Sequence, residues 1–275
     1  MTALKVGVMD RELEIMLSLT KRLPEVKGAF RIANLMKKIY NRKHRDSVIS
    51  DFFDCRMELD PSEWIDSNIL FCPQFVDNQE ISFIKENLKP GNVFIDIGSN
   101  IGYYSLIASK MVGNEGLVLS VEPHKIVYKK LIRNISLNKA FNIKTVNVGI
   151  SNKEEVLRLS PTNRKNSGTN SFVQSTNNIG FMEVECLPLL LLLKKEEINQ
   201  VDFLKLDIEG FEFRVLNHFF QNASLSLYPT YILYEDTSYY VSENGGNLSN
   251  LLYSKGYKVI FKSGINVLVV LSKGS

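Results

Sequence analysis

From Gly91 onward, short apolar runs alternate with segments of helical period, and the links between them are only a few residues long. Val93–Ile97, Leu117–Val121 and Ile143–Val148 read as buried strands. Between them Ile101–Met111 and His124–Asn138 carry helical spacing, the second with Val127, Leu131, Ile135 and Leu137 apolar. Parallel strands need a crossover, usually a helix. The alternation therefore predicts an α/β fold, a doubly wound, mostly parallel sheet with helices on both faces. The same order returns later as helix Leu189–Glu197, strand Asp202–Asp207, helix Phe211–Phe219, strand Thr230–Tyr234 and helix Leu248–Lys255, which Gly256 stops. Tyr257–Phe261 and Val267–Leu271 then pair as a terminal hairpin around Ser263-Gly264.

Two segments break the rhythm. Residues 1–50 read as a helical N-terminal extension, with Arg11–Arg22 and Phe30–Tyr40 at helical spacing and a basic cluster of Lys37, Lys38, Arg42, Lys43, His44 and Arg45. That cluster is either a solvated basic face or a contact with an acidic partner or a membrane surface, so peripheral membrane contact by this arm stays open. Residues 151–181 are rich in Asn, Ser, Thr and Gly and read as an insertion, with Val156–Leu159 and Met182–Leu187 as strands at its ends. A long polar segment in a compact domain points to a functional loop or lid.

Composition narrows the class further. Apolar residues make up 44% and charged residues 23%, which suits a soluble globular chain. A net charge of +3 is too small to argue for nucleic acid, and none is expected as a partner. Cys55, Cys72 and Cys186 lack metal-ligand or paired spacing, so a reducing, cytoplasmic location is the expectation. No apolar run is long enough to span a bilayer, and no signal-peptide pattern opens the chain. Oligomeric state is not legible.

The stretch Val93-Phe-Ile-Asp-Ile-Gly-Ser-Asn-Ile-Gly-Tyr-Tyr104 carries the chemistry. An apolar strand runs into Asp96, then a turn with Gly98 and Gly102, then a helix whose first N–H groups are unpaired. Glycine allows a sharp turn and close approach of a ligand. A dinucleotide site would show G-x-G-x-x-G; here the spacing is D-x-G-x-N-x-G, and the strand-end carboxylate suits a cationic ligand group. Glu122 ends the next strand about 20 residues on, where an acid accepts hydrogen bonds from ribose hydroxyls. A ribose-bearing cofactor with a cationic tail is S-adenosyl-L-methionine. The expected cofactor-binding residues are Asp96, Gly98, Ser99, Asn100, Gly102, Glu122, Gly149, Ile150 and Asp207. Read more plainly, Asp96 is a helix-capping carboxylate and Glu122 a solvated strand end, and Tyr103 and Tyr104 are core residues.

Lys205, Asp207 and Glu209 alternate along a strand and its exit, so in extended geometry they share one side. Transfer of the methyl group from such a cofactor would need alignment of an acceptor and, were the acceptor an alcohol, removal of a proton. The catalytic candidates are therefore Asp207, Lys205, Glu209 and Glu235. Two alternatives stay open: a divalent metal held by Asp207, Glu209 and Glu235, and a structural Lys205–Glu209 ion pair. No histidine pair has metal-ligand spacing, no residue is assigned as a metal ligand, and no G-x-S-x-G elbow appears.

Val93–Tyr104, Val121-Glu-Pro123 and Val201-Asp-Phe-Leu-Lys-Leu-Asp-Ile-Glu-Gly-Phe-Glu212 together resemble the FkbM family of S-adenosylmethionine-dependent methyltransferases. Pro229–Glu235 and the L-x-x-x-G-Y pattern of Leu251–Tyr257 fit as well. The similarity runs from roughly Asp60 to the C-terminus and sets a methyltransferase domain at 51–275. It implies a Rossmann-like, seven-stranded sheet with an antiparallel last strand, and methylation of a hydroxyl on a sugar, glycan or glycosylated small molecule. The sequence departs from the pattern near Pro188 and at Ser99, where Ala is commoner. A fold kept for binding without transfer, and a nucleic-acid methyltransferase, are the competing functions; the latter lacks an N-P-P-Y motif.

Overall fold

The computed structural model describes residues 6–7, 11–24, 28–41, 46–159, 181–208, 210–236 and 247–272. The chain opens with β1 (Val6–Gly7), α1 (Arg11–Thr20) and α2 (Ala29–Tyr40), then the hairpin β2 (Ser47–Phe52) and β3 (Cys55–Leu59) and helices α3 (Trp64–Phe71) and α4 (Asn78–Asn87). The alternating core follows: β4 (Val93–Ile97), α5 (Tyr103–Val112), β5 (Leu117–Val121), α6 (Lys125–Asn138) and β6 (Ile143–Val146). Next come β7 (Gly149–Ser151), β8 (Glu155–Leu159), β9 (Met182–Pro188), α7 (Leu189–Lys195), β10 (Phe203–Leu206), α8 (Glu212–Asn222), β11 (Tyr231–Glu235), α9 (Leu248–Ser254), β12 (Tyr257–Ser263) and β13 (Asn266–Leu271).

The central sheet has seven strands in the order β12-β13-β11-β10-β4-β5-β6. Only β13 runs against its neighbours, inserted between β11 and β12. The expected doubly wound, mostly parallel sheet with an antiparallel last strand is therefore present. From β4 the chain steps outward through β5 to β6, then crosses to β10 and steps outward through β11. The reversal lies between β4 and β10, and the crevice beyond the carboxyl ends of those strands is where an open α/β sheet binds ligands.

Each central strand is apolar on both faces because helices cover both. Phe94, Val118, Phe203 and Leu233 share one core with residues of α1 to α6, including Leu13, Leu17, Ala33, Tyr40 and Leu106. Ile95, Ile97, Leu119, Val121, Leu204 and Leu206 face the other, with Leu192, Leu193, Val215, Phe219 and Leu252 of α7 to α9. The rings of Phe94 and Phe203 stack 5.0 Å apart across neighbouring strands. Helices α1 and α2 thus bury apolar side chains in the same core as the sheet, and β1 pairs in parallel with β2, whose strand runs through residue 50. Among the described residues no helix is long and apolar enough to cross a membrane.

Two sequence expectations shift for physical reasons. The helix expected from Ile101 starts at Tyr103, because Asn100 (φ +49°) and Gly102 (φ +93°) are left-handed. The strand expected through Val148 stops at Val146. There the Asn147 amide donates to the carbonyls of Glu122 and Pro123, at 2.7 and 3.0 Å, and the chain leaves the main sheet. Gly149–Ser151 then pairs in parallel with β9, which pairs antiparallel with β8, forming a three-stranded side sheet. The interior of the polar insertion, residues 160–180, lies outside the described residues.

Candidate active site

The turn after β4 is built around contact with β10. Gly98 sits at φ +75°, and a Cβ there would lie 2.0 Å from the Asp207 carbonyl oxygen. A Cβ on Gly102 would meet the Leu131 side chain at 2.8 Å. The glycines therefore admit protein neighbours on their Cβ sides, where sequence reasoning expected close approach of a ligand. The N–H groups of Gly98 and Ser99 donate to the Val121 carbonyl, and that of Gly102 to the Ser99 carbonyl. Asn100 donates its N–H to Glu122 Oε2 at 3.0 Å, and His124 donates its N–H to Oε1 at 2.8 Å. Glu122 thus fastens the glycine turn to the end of β5, and each oxygen keeps a further lone pair. Burial pushes the Glu122 carboxyl up to about 7, against the pull of those two N–H donors.

His124 caps α6 and is buried; its Nδ1 accepts from the Val127 N–H at 3.5 Å. Burial lowers its pKa, which keeps that nitrogen an acceptor.

Asp96 lies under the turn and is fully buried. Its Oδ2 accepts from the Ser105 hydroxyl at 2.5 Å, and Ser120 donates in turn to Ser105 at 2.7 Å. The cation that its Oδ1 faces is Lys205 Nζ, at 3.5 Å. Register explains the pairing, since Lys205 sits opposite Asp96 on adjacent parallel strands. Lys205 Nζ also lies 3.4 Å from Asp207 Oδ2, donates to the Gly98 carbonyl at 3.3 Å, and stands 5.1 Å from the Tyr104 ring centroid. Burial opposes the Lys205 charge, but Asp207, Asp96, Glu235 and Asp77 outweigh it and hold its pKa above the ordinary value. A lysine so held stays an ammonium and cannot act as a base near neutral pH. Burial pushes the Asp96 carboxyl up, and Lys205 and Ser105 pull it back.

Asp207 is the accessible acid at the β10 exit, its side chain 34% exposed. Glu235 ends β11 one strand further out and is half-buried. Glu209 lies outside the described residues, so neither its candidate role nor a pairing with Lys205 is described. Glu212, at the start of α8, is buried and accepts from the Ile208 N–H at 3.1 Å. Burial pushes its carboxyl up to about 7. Gly149 and Ile150 are buried in β7, just past the Asn147 bridge to Glu122. Among the described residues no group of three His, Cys, Asp or Glu is placed to hold a metal ion.

Sequence reasoning missed Asp77, Ser105, Ser120 and Asn147. Asp77 precedes α4 in D-x-x-E, a capping signature. It makes no side-chain cap; at φ +46° its carboxylate instead accepts from the Tyr104 hydroxyl and faces Lys205 and Asp207. Burial raises its pKa.

S-adenosylmethionine brings an ammonium, a carboxylate and ribose hydroxyls, and the turn has groups waiting for such partners. Ser99 Oγ and Asn100 Oδ1 are buried side-chain oxygens with no hydrogen-bond partner, whereas Asp96 Oδ1 has none but is ion-paired with Lys205 Nζ. Buried polar atoms are ordinarily paired. Orphans gathered on one turn, beside a carboxylate with lone pairs to spare, fit a polar ligand seated there.

Comparison with solved structures gives the METTL16 methyltransferase domain (TM-score 0.48, 13% identity, 87% of this chain and 78% of that one). It also gives P. horikoshii TYW2 in complex with MeSAdo (TM-score 0.45, 16% identity, 88% and 80%). A third is Aeropyrum pernix fibrillarin with natively bound S-adenosyl-L-methionine (TM-score 0.41, 14% identity, 70% and 74%). No curated protein matches the chain in sequence. A protein-L-isoaspartate(D-aspartate) O-methyltransferase model matches residues 30–155. The methyltransferase FkbM domain model matches residues 96–259, which is more than half of the chain and spans the glycine turn, Glu122, Asp207 and Glu235. The chain belongs to the FkbM family of S-adenosylmethionine-dependent methyltransferases.

Proposed function

We propose that the protein transfers a methyl group from S-adenosylmethionine to a hydroxyl of a sugar, glycan or glycosylated small molecule. The observation that carries this reading is the acidic crevice at the β4/β10 switch point, where Asp207 lies 3.4 Å from the fixed ammonium of Lys205 and the charges of Glu235 and Asp77 also act on it. Carboxylates suit an uncharged, hydroxyl-rich acceptor, which donates hydrogen bonds to them. The same acids repel a phosphodiester backbone, which disfavours nucleic acid.

The cofactor supplies an electrophilic methyl carbon on a sulfonium. Ser99, Asn100 and Glu122 hold its polar groups; Asp96 acts from beneath, keeping Lys205 and the turn in place through Ser105. Lys205 fixes Asp207 through Oδ2. The other Asp207 oxygen accepts the proton of the acceptor hydroxyl, whose own oxygen would bond to the methyl carbon as the carbon–sulfur bond breaks and a neutral thioether leaves. Glu235 and Glu209 bind neighbouring hydroxyls of the acceptor.

The test is transfer of isotopically labelled methyl from S-adenosylmethionine to panels of glycosides, oligosaccharides, RNA and protein. Labelled glycan is expected. Asp207→Asn should lower kcat by about 10²–10⁴-fold while leaving cofactor affinity within a few-fold. Label found only in RNA or protein, or an Asp207→Asn enzyme with unchanged kcat on a glycan, contradicts the reading.

A further inference from the structure

One face of α2 is unaccounted for by the fold. The helix docks through buried Tyr40, which meets Phe71 at 5.8 Å, while Phe30, 39% exposed, meets Phe75 edge-on at 6.0 Å on the same side. Buried Ala33 lies on the same side, and so does Lys37, whose ammonium donates to Asn68 Oδ1 at 3.1 Å. At about 100° per residue these four share one side of the helix. Ile32, Leu35 and Ile39 project from the opposite side and are 47%, 59% and 39% exposed. An i, i+3, i+7 row of aliphatic side chains in water marks a contact surface rather than scattered exposure.

Charge identifies the occupant. Arg31 and Lys38 are exposed beside that row. From Lys27 to Arg45 the sequence holds seven Lys and Arg residues and no Asp or Glu. A second copy of this face would bring like charges together. RNA would match the charge but leave the aliphatic row in water. An anionic bilayer satisfies both, since the row enters the acyl boundary while the basic side chains stay at the headgroups.

We infer that α2 docks the protein onto anionic membrane surfaces, lying in the interface with Ile32, Leu35 and Ile39 inserted and Arg31 and Lys38 on the phospholipid headgroups. This goes beyond the methyl-transfer reading and needs no catalytic readout.

The experiment is co-sedimentation of the full chain with vesicles of phosphatidylcholine alone and of phosphatidylcholine mixed with phosphatidylserine. Binding is expected only to the mixed vesicles and should fall as salt rises. Leu35→Glu and the pair Arg31→Glu/Lys38→Glu should each lower the partition coefficient by about tenfold or more. All three positions are exposed, so melting temperature should be unchanged, and circular dichroism checks this. Equal binding to both vesicles, or wild-type binding retained by Leu35→Glu, overturns the proposal. So does a wild-type dimer in light scattering that Leu35→Glu dissociates, or binding of RNA homopolymer without binding of vesicles.

Discussion

Gly98 sets how closely β4 and β10 approach, and hence where the turn lies. Any Cβ at that position collides with the Asp207 carbonyl, a backbone atom that cannot swing aside, and φ +75° adds strain. At Gly102 the obstacle is the tip of a leucine side chain, which can rotate away, although φ +93° is also unfavourable for an L-residue. Gly98→Ala is therefore expected to cost about 1–3 kcal/mol or more of unfolding free energy, with Gly102→Ala costing less. Urea unfolding of the two variants checks the ranking, and equal costs would remove the assigned reason for glycine at position 98. The acids around the turn divide by burial. Asp96 is sealed in with Lys205 and Ser105, whereas Asp207 remains in reach of solvent. Their spacing along the chain does not show that difference, because it arises from a helix, α5, laid over one and not the other.

At the scale of elements, β4, β5 and β10 were legible because a strand buried on both faces is a short, continuous apolar run. The glycine turn, Glu122 and Asp207 were legible because each lies within a few residues of such a run. α3 was not: Asp66, Ser67 and Asn68 are buried beside Ile69, Leu70 and Phe71, so the helix shows no apolar period. The parts of the site that escaped notice depend on distant partners. Tyr104 reaches Asp77 and Asn147 reaches the end of β5, contacts that no local pattern encodes. The side sheet is tied to α8 by a similar long-range network. Arg214 donates to Glu155 Oε1 at 2.8 Å and to Asn152 Oδ1, and Ser151 donates to the same Glu155 oxygen. A double-mutant cycle of Arg214→Ala and Glu155→Ala should give a coupling on the order of 1 kcal/mol in thermal or urea unfolding. A coupling near zero would mean that the side sheet is held by β9 and its apolar contacts alone.

For the whole molecule, the N-terminal helices and the sheet share one core. Leu13 is fully buried in the cluster that contains Phe94 and Leu106. Leu13→Ala should lower the stability of the entire chain by about 2–5 kcal/mol in one cooperative transition; a separate early transition in calorimetry would show residues 1–50 melting independently. On the reading proposed above, this core holds the turn that seats the cofactor, fastened by Glu122. The measurement that tests it most directly is calorimetric titration with S-adenosylmethionine of the wild-type protein and of Glu122→Ala. Saturable binding by the wild type, lost in the variant, is the predicted result. Its pH dependence follows from burial, which places the Glu122 carboxyl at about 7. Below that pH the protonated group loses acceptor capacity toward ribose hydroxyls, so affinity should rise by about tenfold between pH 6 and pH 8. A folded wild-type protein that shows no saturable binding at either pH contradicts the account.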